Sequence, residues 1–275
     1  MISLRTNTTS LMVQRNLSMA TKGLNKAIEQ LTTGYKINSA KDNPANYAMM
    51  KNMETKLRSW EVASDNISIG NNMLETADSY AELIGNHLTR IRDLCEQAAN
   101  GTYGENSIKA IKAEIAARYD EIERIKANAE FNDIKLFGTE DSEGNIIPKK
   151  INLQVGIDGT ESSRISVDTT LYLEGLKDIE DWDIRDSSCL DRIDNLLDEV
   201  FSYQVRIGAT RNRLDCALEF AEITTNNLTS SISTIRDADI AKASSDYIRY
   251  QILQQACATL LATANQMPAM ALQLL

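Results

Sequence analysis

Apolar residues recur every seventh position through much of the chain, and the long repeats are the clearest guide to its elements. Met53, Trp60, Ile67, Leu74, Ala81, Leu88 and Cys95 form one file. Ala63, Gly70, Ala77, Ile84, Ile91 and Ala98 form a second, three positions further on. Two files at heptad spacing, kept up this long, predict a helix whose apolar seam packs against other helices as in a coiled coil. Asn100-Gly101 is a stop signal for that helix. A shorter seam follows at Ile108, Ile111, Ile115, Tyr119, Ile122, Ile125 and Ala129. A third runs through Ile193, Val200, Ile207, Leu214, Ala221, Leu228 and Ile235, and the next position in phase is the charged Lys242. The pattern predicts a three-helix bundle, with small Ala, Gly and Cys residues in the seam allowing close approach.

Both chain ends carry their own repeat. Leu17, Leu24 and Leu31 are seven apart with Ala20 and Ala27 between them. Leu253, Leu260, Met267 and Leu274 are likewise seven apart, flanked by Cys257, Ala264 and Ala271. Each end therefore reads as a separate amphipathic helix. At the front the break is "TTGYKINSAKDNPAN", where Gly34 ends one helix and Asn43-Pro44 precedes the next. As a pattern this segment is no more than an interhelical linker. At the back the break is "IRDADIA". Between the bundle helices, "KKINLQVGIDGTESSRISVD" alternates with period two around glycine-containing turns and predicts a β-hairpin. The fold class is mainly α: a long, antiparallel, coiled-coil-like bundle with a small β-hairpin region. The expected division is 1–44 plus 236–275 for the terminal helices and 45–235 for the bundle, with 139–187 as the small middle region.

Composition narrows the function. Net charge is −10, from 29 basic and 39 acidic residues, and no basic stretch interleaved with aromatics offsets it, so a nucleic-acid partner is not expected. Residues 250–275 contain no charged side chain at all. Roughly 20 apolar residues suffice to cross a bilayer, but Gln251, Gln254, Gln255, Asn265, Gln266 and Gln273 interrupt this tail and Pro268 falls near its end. Membrane insertion is not expected. Arg5 and Arg15 break up the first 20 positions, so no ordinary cleavable signal peptide is predicted. His87 is the only histidine, which leaves no HExxH zinc motif and no partners for Ser-His-Asp chemistry. Cys95, Cys189, Cys216 and Cys257 are far apart with no metal-ligand spacing; the expectation is four uncrosslinked packing residues and no metal or other cofactor.

Seven stretches in order resemble the bacterial flagellins: "LTTGYKINSAKDNPANYAM", "IRDLCEQAANGT", "EFNDIKLFG", "INLQVG", "IGATRNRLD", "IRDADIA" and "QILQQACATLLATANQMPAMALQLL". The resemblance covers nearly the whole chain, with a middle too short for the large outer variable domains. It implies a structural, non-enzymatic subunit that polymerises into the bacterial flagellar filament for motility. The alternative is a hook–filament junction protein of the same superfamily, against which "ANQMPAMALQLL" speaks.

In flagellins the terminal segments become paired helices inside the filament core. That role would fall to Leu17, Leu24, Leu31, Leu253, Gln254, Gln255, Leu260, Met267 and Leu274. An uncharged tail fits such a core, because subunit repetition would multiply every like-charge contact. The resemblance also implies an extracellular location, a flagellar export chaperone, and filament cap and hook-associated junction proteins. A vertebrate Toll-like receptor for flagellin is a further implied partner. The family's receptor-contact residues match Arg90, Leu94 and Glu114. Arg90 and Leu94 are four apart on one helix face, and the heptad frame places both outside the central seam.

Overall fold

The computed structural model describes residues 7–140, 146–147, 149–176, 182–186 and 188–273. The elements in order are α1 (Thr8–Thr33), α2 (Pro44–Ala99), α3 (Glu105–Asn128), β1 (Glu130–Phe131), β2 (Ile134–Lys135), β3 (Thr139–Glu140), β4 (Ile146–Ile147), β5 (Lys150–Gln154), β6 (Arg164–Asp168), α4 (Ser188–Arg236) and α5 (Ile240–Gln273). Helix ends fall where the chain changes chemistry. Gly34 takes the left-handed conformation (φ 75°) that caps α1, and its N–H bonds Gln30 O. The Asn43 side chain accepts from Asn46 N at the start of α2.

The chain divides into two units, one of residues 1–57 and 226–275, the other of residues 58–225. The division falls inside α2 and α4. The sequence breaks at 44 and 236 coincide with the start of α2 and the end of α4.

In the second unit, α2 and α4 run antiparallel. Contacts between them step from Arg92–Asp194 (2.6 Å) through Gly85, whose Cβ position lies 3.5 Å from Val200 Cγ1, to Asn71–Asp215 (3.0 Å) and the edge-on rings of Trp60 and Phe220. Helix α3 lies beside α2, tied by Arg90–Glu114. The buried stripe of α2 contains the predicted seam from Ala63 to Ala98, and with it Met73 and Leu94. The α3 seam is buried at every expected isoleucine, with Tyr119 partly covered. On α4 the file is buried from Ile193 to Ala221; beyond it Leu228 and Ile235 are only half-buried, and Ile232 takes the covered position.

The predicted hairpin is present as β5 and β6, antiparallel from Lys150↔Asp168 to Gln154↔Arg164. Gly70 lets it seat on α2: a Cβ there would lie 2.7 Å from Leu153 Cδ1. Asn132 and Asp133, both at positive φ, make the two-residue turn between β1 and β2. After β6 the chain contributes more core than its polar appearance suggests, because Leu171, Leu173, Leu176, Trp182 and Ile184 are all buried.

Candidate functional site

The first unit has little interior. Helices α1 and α5 run antiparallel, and the described side chains that bury most deeply between them are small: Ala20 and Ala27 on one helix, Ala243, Cys257 and Ala264 on the other. Close approach follows from small side chains. Gly23 faces the ring of Tyr250 so tightly that a Cβ would lie 2.6 Å from it. Polar contacts fix the register: Ser10 Oγ donates to Asn265 Oδ1 (2.8 Å) and Gln254 Nε2 to Thr21 Oγ1 (3.2 Å).

Asn7 has two tasks. Its Oδ1 caps α1 by accepting from Ser10 N, and its Nδ2 donates to the Ala264 carbonyl at 2.7 Å. That carbonyl lies four residues before Pro268, which has no N–H to offer it. The helix continues through the proline to Gln273. A partner from the other terminus supplies the hydrogen bond the proline withholds.

Many large apolar side chains of α1 and α5 point elsewhere. Leu11, Met12, Met19 and Ile28 are exposed on α1, and Ile248, Ile252, Leu253 and Leu260 on α5, with Leu260 54% exposed. Among the residues singled out by the terminal repeats, Leu17, Leu24 and Leu31 are partly covered, Leu253, Leu260 and Gln255 are exposed, and Gln254 is half-buried against Thr21. Met267 falls within α5 and Leu274 lies outside the described residues. The heptad file and the intrachain seam thus differ: alanines and cysteine fill the pair, and leucines stand at its rim or outside it.

The linker that carried no signal of its own is a built element. Lys36 N donates to Arg236 O (2.6 Å) and Ala238 N to Gly34 O (2.8 Å), while Tyr35 and Asp237 form a β-bridge. The Arg236 guanidinium lies over the Tyr35 ring at 4.0 Å and reaches Glu54 Oε1 at 3.2 Å. Within the linker, Asp42 accepts from the backbone and hydroxyl of Ser39 and from Asn38 N, and pairs with Lys26 at 3.4 Å. Burial pushes this carboxyl up, but those hydrogen bonds outweigh it and hold Asp42 below the usual carboxylate range. The two breaks therefore meet, through backbone hydrogen bonds that pattern reading cannot see.

Arg90 Nε lies 3.1 Å from Glu114 Oε1, and Arg118 Nη2 3.8 Å from the same oxygen. Both Arg90 and Glu114 are partly exposed. Leu94 is not on this surface: at 2% exposure it belongs to the core, contrary to the flank position its heptad frame gave it. Helix α2 packs against two helices, which widens its buried stripe to include flank positions such as 73 and 94. His87 is half-buried, with Nδ1 3.5 Å from Arg118 Nη1. Among the described residues no three His, Cys, Asp or Glu side chains are grouped to hold a metal. None of the helices there is long and apolar enough to cross a membrane.

Residues 4–141 match the bacterial flagellin N-terminal helical region and residues 190–275 its C-terminal helical region. A flagellin of Halalkalibacterium halodurans is 32% identical over 98% of both chains. A flagellar filament core protein of Brachyspira hyodysenteriae is 30% identical over 98% of both, and a Bacillus subtilis flagellin 29% over the same shares. A putative flagellar hook-associated protein from Vibrio parahaemolyticus has a similar fold over 71% of this chain and all of its own (TM-score 0.60, 17% identity). Full-length likeness to filament proteins, with both helical regions matched in order, means that the chain belongs to the bacterial flagellin family, whose members are structural proteins of the extracellular flagellar filament.

Proposed function

We propose that the α1–α5 pair is the surface through which this filament subunit joins its neighbours, with the outward leucines, isoleucines and methionines as the contact. The exposure of Leu253 and Leu260 on a helix without charge from position 250 onward carries this reading. Each such side chain gains about 2 kcal/mol when it leaves water, and a surface repeated at every subunit collects that gain without closing the assembly. Gln254, half-buried and bonded to Thr21, orders the pair from inside, and exposed Gln255 offers an amide that can donate and accept across a subunit contact.

The same exposed ridge gives an export chaperone something to cover before assembly. We place chaperone binding on the C-terminal segment and export through the flagellar type III apparatus. Cap and hook-associated junction proteins would meet equivalent helix pairs at the filament ends. The ion-paired Arg90 and Glu114 form the candidate contact for a vertebrate Toll-like receptor, and buried Leu94 supports it from beneath.

Salt-induced polymerisation of the purified chain, followed by negative-stain microscopy, tests the assembly reading. Long filaments are expected; particles that remain monomeric under all salt conditions would contradict it. For the receptor, Arg90→Ala with Glu114→Ala is expected to shift a reporter-cell dose curve at least tenfold, and an unchanged curve would remove the site.

A further inference from the structure

Cys95 lies in the last turns of α2, and Cys189 is the second residue of α4, 94 positions later. The sequence offered no reason to pair them. In the fold their sulfur atoms are 2.7 Å apart, and they are 1% and 2% exposed. A disulfide holds its sulfurs at about 2.05 Å, so closing the bond needs a movement of roughly 0.7 Å. The helices that carry the two thiols are fixed to each other nearby, through the Arg92–Asp194 ion pair (2.6 Å) and a shared apolar core that includes Leu94, Ala98, Trp182 and Ile193. Cys216 is exposed further along α4, and Cys257 packs in the α1–α5 pair. Extracellular proteins are those in which disulfides form and persist.

We propose that Cys95 and Cys189 are an oxidative modification site, converted by a small-molecule disulfide into an intrachain bond that closes the segment bearing α3 and β1 to β6. The two thiols are not equivalent. The adjoining Cys95 thiol and the nearby Arg192 guanidinium favour the Cys189 thiolate at the N-terminal end of α4, against burial and the Asp186 and Asp183 carboxylates. The adjoining Cys189 sulfur, and burial, push the Cys95 thiol upward. Cys189 thiolate therefore attacks one sulfur of the reagent; the reagent's S–S bond breaks and one thiolate leaves. Cys95 then loses its proton and attacks Cys189 Sγ in the mixed disulfide, and the second thiolate leaves. Two protein thiols are oxidised, one reagent disulfide is reduced to two thiols, and the two protons end on the leaving groups. Because both sulfurs are buried, exchange takes place once the start of α4 and Arg192 are in place but the α2–α4 seam is open, late in folding or in a transient opening of that seam.

The test uses the full chain, unfolded and refolded with excess oxidised glutathione or with dithiothreitol. Non-reducing peptide mapping is expected to find one cross-linked pair, Cys95 with Cys189, while Cys216 and Cys257 remain alkylatable. Closing so long a loop is expected to raise Tm by about 5–10 °C over the reduced protein. Cys189→Ala and Cys95→Ala, each compared with the reduced parent, should fold and show no Tm response to glutathione. The proposal is overturned if both thiols stay alkylatable, if a mixed disulfide with glutathione persists at either position, or if the bond forms without a rise in Tm.

Discussion

The α2–α3–α4 bundle and the α1–α5 pair are both written in heptads, and they differ in what fills the seam. In the bundle the seam is built of large side chains: Ile67, Leu74, Ile84, Leu88 and Ile91 on α2 and Tyr203 on α4 have almost no exposure, while Val62 and Ile69 on α2 and Val205 and Phe220 on α4 lie outside the seam and are exposed. In the terminal pair the seam is mostly alanine, and Leu253, Leu260, Ile252 and Met19 face out. A bundle with large residues in its seam has a core of its own. A pair that buries alanines has little, and under the proposed assembly neighbouring subunits supply the rest. Charge follows the same division. The bundle keeps its surface soluble with ion pairs such as Arg92–Asp194 and Arg211–Glu75, whereas the end of α5 has no charge to repel its own copies.

Deleting residues 250–275 is the strongest way to separate the two regions. Sedimentation should show complete loss of polymer, while circular dichroism retains the bundle's helical signal and cooperative melt. Polymer from the truncated chain, or a collapsed melt, would erase the distinction. Gln254→Glu with Gln255→Glu asks how far the uncharged surface matters. A carboxylate at 254 can still accept from the Thr21 hydroxyl, so the melt should barely move. The critical concentration at pH 7 should rise tenfold or more, since each desolvated charge repeats at every subunit. Burial raises the pKa of the added carboxylates, so assembly should recover as pH falls through that raised value. An unchanged critical concentration would mean the amides lie outside the contact.

The smallest effect concerns the linker. Asp42 titrates below its unfolded value, so its contribution is fully present above about pH 4 and is lost as pH falls through the lower folded pKa. Asp42→Asn should therefore lower stability slightly at pH 7 and match the parent in strong acid. A constant difference at all pH values would show that charge is not what Asp42 contributes.

How much of this was legible in the sequence depended on whether a feature is periodic. The seams of α2 and α3, the stops at Asn100 and Gly34, and the β5–β6 hairpin are local or repetitive, and each leaves a pattern in the sequence. Leu94 was misplaced because a two-file seam assumes a single packing direction, and α2 has two. The linker's backbone bonds to 236–238 and the Cys95–Cys189 contact join distant positions with no shared spacing, so only the fold brings them together. Burial of Leu171, Trp182 and Ile184 was hidden for another reason: an irregular, acidic segment can contribute core without a period. The terminal repeats gave the right helices but did not say which side of each faced its partner. Ala20 and Ala27, lying between the leucines, were the available signal, since only small residues let two helices approach this closely.

The central claim is that the outward leucines serve the polymer and contribute little to the single chain. Leu253→Asn with Leu260→Asn, measured beside Ile84→Ala, tests it most directly by pairing a thermal melt with a critical concentration for assembly. The leucine variant should melt within a degree or two of the parent and fail to polymerise. Ile84→Ala should lose about 2–5 kcal/mol of stability by opening a cavity in the bundle. A leucine variant that polymerised normally, or that lost stability as Ile84→Ala does, would contradict the account.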